Sequence, residues 1–247
     1  MTTNKININN LFYIFITSHL IVWTLVPTLT NHILPLDTIE ALAWGSNLDW
    51  GFNKHPPASA FSVEVFYQIF GSNDWAYYLL SQIFVVISFF VVWKFSEEFF
   101  NNETYSLLSV ILLEGIYFYN FTTPEFNVNV CQLPFWALSV LYAWKGFQSN
   151  KTIDWLLFGL FAAIGILSKY LFIYLLVAID VFLAYAFFKN KFFSLLSVLL
   201  LEGIYFYNFT TPEFNVNVCL MPFWALTILY FFYITFNHLD SSSNFNK

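Results

Sequence analysis

The stretch AYYLLSQIFVVISFFVVWKFS, residues 76–96, contains a single charged side chain, Lys94. An α-helix rises 1.5 Å per residue, so about 20 apolar residues cross a hydrocarbon core of about 30 Å. Further apolar runs of similar length lie at 11–28, 105–122, 130–147, 153–168, 170–188, 193–210 and 218–236. The sequence therefore predicts an all-α integral membrane protein with about eight transmembrane helices.

The composition of the 247-residue chain also excludes an ordinary water-soluble domain. Hydrophobic residues make up 59%, aromatic residues 23% and charged residues only 10%. A soluble domain needs more polar side chains to cover its surface. The net charge of −6 comes from scattered acidic residues, which is not the footprint of a nucleic-acid-binding protein. We expect membrane lipids around the chain and no nucleic acid.

The basic residues predict how the chain is oriented. All nine are lysines, and with a cytoplasmic N-terminus only Lys54 and Lys169 face the other side. This distribution follows the positive-inside rule. The first apolar run, from Leu11, is longer than a typical signal-peptide core and has no small-residue cleavage site, so we expect a retained membrane anchor. The first outside loop then covers residues 30–75.

This loop is the longest polar stretch, and it predicts two short interfacial helices. The segments Asp37–Trp44 and Ala58–Phe70 carry apolar residues at near-helical spacing. Tryptophan and phenylalanine side chains anchor such helices at headgroup depth. Their polar faces would meet a substrate carried by a lipid, so the loop is the first place to look for chemistry.

Four residues of the loop are candidates for that chemistry. Asp37 and Glu40 lie three residues apart and share one face at the start of the first interfacial helix. Asp37 can alternatively cap this helix by accepting hydrogen bonds from its first free amides. Lys54 and His55 precede a stiff Pro-Pro pair, which suits a phosphate site. The alternatives are a solvated loop charge for Lys54 and a bond to a turn carbonyl for His55.

Several short motifs occur together in a characteristic order. They are DTIE at 37–40, LDWG at 48–51, KHPP at 54–57, TPEFNVN at 123–129, LPFWAL at 133–138 and GILSKY at 165–170. This order resembles bacterial members of the protein mannosyltransferase and aminoarabinose transferase superfamily, which are GT-C glycosyltransferases. The resemblance covers roughly residues 10–190.

The resemblance implies transfer of a sugar from a polyprenyl-phosphate carrier to a glycan, lipid or protein hydroxyl outside the bacterial inner membrane. It implies that Asp37 acts as the base for the acceptor hydroxyl, with Glu40 as a helper. Lys54, His55 and Lys169 would stabilise the negative charge on the leaving lipid phosphate. For Lys169, snorkelling of the side chain to the membrane interface is the alternative.

The chain departs from the family pattern at two places. Some relatives have Glu-Lys-Pro-Pro where this chain has KHPP at 54–57, so a cation replaces a carboxylate that could help to hold a metal. We therefore expect no metal and no cofactor. Relatives also often have an acidic residue at the start of the fourth span. Here Asn129 occupies that place and Glu125 lies one turn earlier, and either residue can be the substitute that contacts donor or acceptor.

Two carboxyl groups lie within predicted spans, Glu114 and Asp180. Ionisable groups in a membrane are costly and point to a pathway or to a buried partner. We expect neutral carboxyl groups that bond to a neighbouring helix, because the sequence shows no intramembrane cation to pair with them. A transporter or flippase-like protein that uses them as proton sites is the alternative function.

An internal repeat divides the chain. Residues 106–142 recur at 194–230 with five differences, and Cys131 and Cys219 occupy matching positions, which favours buried thiols over a disulfide. Such near-identity predicts a recent duplication or a fusion of two related gene copies, because architectural repeats keep only weak similarity.

The predicted division is an N-terminal GT-C-like region at 1–192, a duplicated helical hairpin at 193–236 that copies 105–147, and a polar tail at 237–247. Relatives continue into further spans and a soluble domain. A truncated, inactive remnant is therefore the alternative to an active enzyme.

Overall fold

The computed structural model describes residues 7–149 and 151–188, and within these ranges it contains helices and turns but no β-strand. The described α-helices are α1 (Ile8–Thr30), α2 (Leu36–Gly45), α3 (Ala58–Phe70), α4 (Asp74–Phe100), α5 (Glu103–Glu114), α6 (Val128–Ser149), α7 (Thr152–Ser168) and α8 (Ile173–Phe188). The all-α prediction is confirmed.

Two of these helices are long and apolar enough to cross a membrane, α1 with 23 residues and α4 with 27. The side chain of Asn7 caps α1 by accepting a hydrogen bond from the Asn9 amide, 3.0 Å away. Asn101 ends α4 in a left-handed conformation with φ of 50°. The predicted runs at 193–210 and 218–236 lie outside the described residues, so a count of eight spans stays a prediction.

The run at 105–122, predicted as one span, is divided in the structure. The helix α5 ends at Glu114, and a π-helical turn follows at Phe118–Thr122. Gly115 is a poor helix former, and the Asn120 side chain donates a hydrogen bond to the Glu114 carbonyl at 2.7 Å. The segment from 115 to 127 is therefore a packed turn that leads into α6.

The helix α4 is central to the unit formed by residues up to Phe172, where it packs against α1, α5 and α6. Trp93 of α4 stacks on Phe12 of α1 with ring centroids 4.4 Å apart, and both side chains are buried. Polar side chains are also buried along α4, including Ser81 and Gln82. In a membrane, such packing and interhelical hydrogen bonds hold helices together.

The two helices of the first loop, α2 and α3, meet at Gly45. A Cβ atom at this position would come within 2.8 Å of the Ala60 carbonyl oxygen, so only glycine allows this approach. The predicted segments Asp37–Trp44 and Ala58–Phe70 are thus confirmed as helices. Their place at a membrane interface stays a prediction.

A second compact unit begins at Ile173, and the structure describes it as the helix α8. Asp180 lies in this helix. The predicted domain boundary at residue 192 and the duplicated hairpin lie outside the described residues.

Candidate active site

Asp37 lies in the first turn of α2, and its side chain is not the cap of that helix. The residue before the helix, Pro35, provides no side-chain cap. Instead, the backbone amide of Asp37 donates a hydrogen bond to Oε1 of Glu125 at 3.1 Å. Glu125 therefore caps α2 from a distant part of the chain, and the helix-cap interpretation of Asp37 is wrong. The Asp37 carboxyl is exposed.

Asn127 connects Asp37 to the start of α6. Its Oδ1 accepts hydrogen bonds from the backbone amides of Asn129 and Val130, at 2.9 and 3.2 Å, and so caps α6. Its Nδ2 donates to Oδ2 of Asp37 at 3.2 Å. Because the two amides require the oxygen, the orientation of the Asn127 side chain is fixed with its nitrogen towards Asp37.

A third hydrogen bond joins α2 to the same segment. The hydroxyl of Thr38 donates to the carbonyl oxygen of Phe126 at 3.1 Å, and both residues are buried. The Phe126 ring in turn packs edge-on against Phe84 of α4, with ring centroids 5.3 Å apart. The start of α2 is therefore held rigidly against residues 125–127.

The Glu125 carboxyl is half-buried, and its protonation is perturbed. Burial raises the pKa of Glu125, and the negative charge of Asp37 raises it further, while the hydrogen bond from the Asp37 amide lowers it. The net effect is a raised pKa. Glu125 therefore takes up a proton at a higher pH than an ordinary glutamate does.

The predicted KHPP turn is attached to α2 by two contacts. Nζ of Lys54 lies 2.9 Å from Oε1 of Glu40, one turn after Asp37. The His55 ring packs edge-on against Trp44, with ring centroids 5.8 Å apart. The side chain of Lys54 is 55% exposed, so its ammonium group can be reached by a ligand while it pairs with Glu40. The solvated-charge interpretation of Lys54 is therefore incomplete.

Lys169 follows α7 and points into the protein. It is 7% exposed, and its ammonium group donates a hydrogen bond to Oδ1 of Asn129. Snorkelling to the interface would leave the ammonium group exposed, so that interpretation of Lys169 is wrong. Asn129 belongs to the first turn of α6, two residues after Asn127.

The structure thus connects Asp37 and Lys169 through one short segment, residues 123–129, whereas Lys54 and His55 are attached to α2. Asp37 binds this segment at Glu125, and Lys169 binds it at Asn129. The residue that sequence reasoning missed is Asn127, which contacts Asp37 directly. An asparagine directly before an apolar helical run is a cap signal that could have identified it.

The described residues contain no group of three or more histidine, cysteine, aspartate or glutamate side chains that could hold a metal ion. The expectation of a metal-free reaction stays a prediction. The arrangement offers an exposed, oriented carboxyl group on Asp37 and a second carboxyl with a raised pKa on Glu125. It also offers the buried ammonium group of Lys169, which is hydrogen-bonded to the segment that carries Glu125.

The carboxyl of Glu114, at the end of α5, has a partner that the sequence did not reveal. Its Oε2 lies 2.7 Å from Nδ1 of His19, and its Oε1 accepts a hydrogen bond from the Trp23 indole at 3.3 Å. The expected bond to a neighbouring helix is present. The sequence shows no intramembrane cation to pair with Glu114, and the structure places beside it the imidazole of His19, which lies within the apolar helix α1.

Comparison with known proteins gives one family match. A family model described as dolichyl-phosphate-mannose-protein mannosyltransferase matches residues 54–191, which is more than half of the chain. The matched range includes Lys54, His55, Glu125, Asn129 and Lys169. No curated protein and no solved structure gives a significant match.

Proposed function

The chain belongs to the dolichyl-phosphate-mannose-protein mannosyltransferase family of membrane-embedded GT-C glycosyltransferases, and we propose that it transfers a sugar from a polyprenyl-phosphate donor to a periplasmic hydroxyl acceptor. The observation that carries this proposal is the Asp37 carboxyl, which is exposed and oriented by Asn127 at 3.2 Å. A carboxylate held in one direction at a protein surface is suited to proton abstraction from a bound hydroxyl.

The bond changes follow from this placement. The acceptor oxygen attacks the anomeric carbon of the sugar, and its proton passes to Asp37. The bond between that carbon and the phosphate oxygen breaks, and its electron pair leaves with the lipid phosphate. Asn127 holds Oδ2 of Asp37, and we assign Oδ1 to the acceptor hydroxyl.

The leaving phosphate gains negative charge as the bond breaks, and nearby cations lower the energy of that state. Lys54 is exposed and paired with Glu40, so a bound phosphate would replace the carboxylate as its partner. This exchange would leave Glu40 beside Asp37 as a helper. Lys169 and His55 are the other proposed phosphate contacts, and Glu125 and Asn129 are the proposed contacts to acceptor or donor.

The transporter or flippase-like alternative is not favoured. It assigns proton transport to Glu114 and Asp180, but the Glu114 carboxyl is engaged by His19 and Trp23 within a packed network. In the remnant alternative, the chain has the same site residues but catalyses no sugar transfer. The proposed location is the bacterial inner membrane with several spans and a cytoplasmic N-terminus, as the lysine distribution predicts.

The test is a transfer assay on the purified full chain in nanodiscs. Polyprenyl-phosphate sugars are offered with a panel of glycan, lipid and protein acceptors. We expect Asp37→Asn to lower the rate by about 10² or more, the usual contribution of a positioned base. Asp74→Asn is the matched control, because Asp74 also lies in the first turn of a helix and is exposed.

The two possible failures have different meanings. Undiminished transfer by Asp37→Asn would show that Asp37 is not the base. Absence of transfer by the unaltered chain across the whole panel would contradict the proposed activity and favour the remnant.

A further inference from the structure

His19 is a buried polar residue in the apolar helix α1, only 4% exposed. Its Nδ1 lies 2.7 Å from Oε2 of Glu114 in α5, and its Nε2 lies 3.0 Å from Oε1 of Gln82 in α4. Trp23, one turn later on the same face of α1, donates to the other Glu114 oxygen at 3.3 Å. One histidine therefore ties three helices together.

The hydrogen positions in this network follow from its far end. The Thr123 hydroxyl donates to the Tyr119 carbonyl at 3.0 Å, so its oxygen is left to accept from Nε2 of Gln82 at 3.4 Å. The Gln82 oxygen then faces His19, and Nε2 of His19 must carry a hydrogen. Nδ1 of His19 and Oε2 of Glu114 lie 2.7 Å apart, so one of these atoms donates a hydrogen bond to the other.

Both ends of the network bind the turn between α5 and α6. At the near end, the backbone carbonyl of Glu114 accepts from Asn120 at 2.7 Å. At the far end, the hydroxyl of Thr123 accepts a hydrogen bond from Gln82, and the backbone carbonyl of Thr123 accepts one from the Ser81 hydroxyl. The segment that contacts Asp37 starts two residues later, at Glu125.

Apolar packing alone would not require such a network. Burying polar groups in an apolar interior is costly unless every partner is present, and a network that loses one member leaves the others unsatisfied. The bonds of this network converge on the turn that delivers Glu125 and Asn127 to Asp37. This points to placement of that turn as the role of the network.

We propose that His19 is a positioning residue, which acts through Gln82 and Thr123 to hold Glu125 and Asn127 against Asp37. The effect of His19 on sugar transfer rests on the proposed function, whereas its effect on the position of Glu125 and Asn127 does not. Loss of the Gln82 bond frees the side chain that holds Thr123. The turn then samples positions in which Asn127 no longer reaches the Asp37 carboxyl.

The experiment measures this placement without an activity assay. Asp37→Cys and Asn127→Cys are introduced into the full chain after Cys131→Ser and Cys219→Ser, and the rate of disulfide formation is measured under mild oxidation in nanodiscs. Three variants are compared in this background. His19→Asn keeps a donor for Glu114 but does not reach Gln82, His19→Phe removes both bonds, and Glu114→Gln keeps both partners of His19 without a carboxylate.

We expect disulfide formation to slow about tenfold in His19→Asn and His19→Phe, and to stay within twofold in Glu114→Gln. His32→Asn is the matched control, because His32 is exposed, and we expect no change there. If His19→Phe does not yield folded protein, His19→Asn decides alone. An unchanged rate in His19→Asn, or an equally slow rate in Glu114→Gln, overturns the proposal.

A second readout separates this proposal from the proposed function. In a chain that turns over, His19→Asn should lower kcat about tenfold and change KM for the donor less than twofold, because the proposed phosphate contacts Lys54 and His55 lie on a different turn, attached to α2. Slowed cross-linking together with unimpaired transfer by Asp37→Asn would retain the positioning role and refute the role of Asp37 as base.

Discussion

The amide of Asp37 is capped by the carboxyl of Glu125, 3.1 Å away in space and 88 positions away in sequence. This bond places two acidic side chains of different segments at the start of one helix. The carboxyl of Asp37 therefore lies beside the carboxyl of Glu125. Ionisation of Glu125 is disfavoured, because burial and the charge of Asp37 both raise its pKa.

The raised pKa of Glu125 predicts a specific pH dependence of stability. An acid whose pKa is higher in the folded state favours folding while it is protonated, and that contribution is lost as the pH rises through its folded pKa. Glu125→Gln keeps an oxygen for the Asp37 amide and cannot ionise. We expect Glu125→Gln to raise the thermal unfolding midpoint in detergent at neutral pH, with the difference disappearing at acidic pH.

The control for this measurement is Glu103→Gln, since Glu103 also lies in the first turn of a helix but is exposed. A difference between Glu125→Gln and the unaltered chain that stays constant from pH 4 to pH 8 would contradict a raised pKa of Glu125.

Asn127 both caps α6 and donates to Asp37, so a substitution that removes only the donor should lower activity without lowering stability. Asn127→Asp keeps the cap of α6 but removes the donor to Asp37 and adds a negative charge beside it. We expect transfer to fall at least tenfold while stability is retained. Asn127→Ala also loses the cap and should destabilise the fold by about 1 kcal/mol. Equal activity of Asn127→Asp and the unaltered chain would exclude a role in orienting Asp37.

Removal of the buried ammonium group of Lys169 should impair the use of the polyprenyl-phosphate sugar donor. Lys169→Met retains much of the side-chain volume and removes the charge, so we expect kcat/KM for the polyprenyl-phosphate sugar to fall by about 10². Lys151→Met is the matched control, because Lys151 is exposed and precedes α7 whereas Lys169 follows it. A fall of the same size in both variants would show that Lys169 has no special role.

The lysine distribution predicts the side of the membrane on which the candidate site lies. After removal of Cys131 and Cys219, cysteines introduced at Asn53 and Ser149 should react with an impermeant thiol reagent from the periplasm and from the cytoplasm, respectively. Both positions are exposed. The opposite labelling would reverse the orientation and remove the periplasmic acceptor from the proposal.

The helices of the first loop could be predicted from sequence almost to the residue. The segment Ala58–Phe70 has the bounds of α3, and Asp37–Trp44 differs from α2 by one residue at each end. These helices depend on apolar periodicity and on the prolines at 56–57, which act over a few residues. The turn at Gly115 was missed, because the apolar character of the run continues through the break and only the bond from Asn120 marks it.

The roles of individual side chains required the tertiary structure. The sequence offered Asp37 as base or cap, and only the packing of α2 on residues 125–127 shows that Glu125 is the cap. The partners of His19 lie 63 and 95 positions away. A hydrogen bond needs its two atoms within about 3 Å, so only the packed fold brings His19 and these partners into contact.

The sequence by itself determined the helical fold class and the resemblance to a glycosyltransferase family, because these depend on local composition, periodicity and motif order. Which polar groups meet was decided by how α1, α5 and α6 pack around α4. That packing is set jointly by side chains throughout the core, so no local pattern around Asp37 or His19 encodes it.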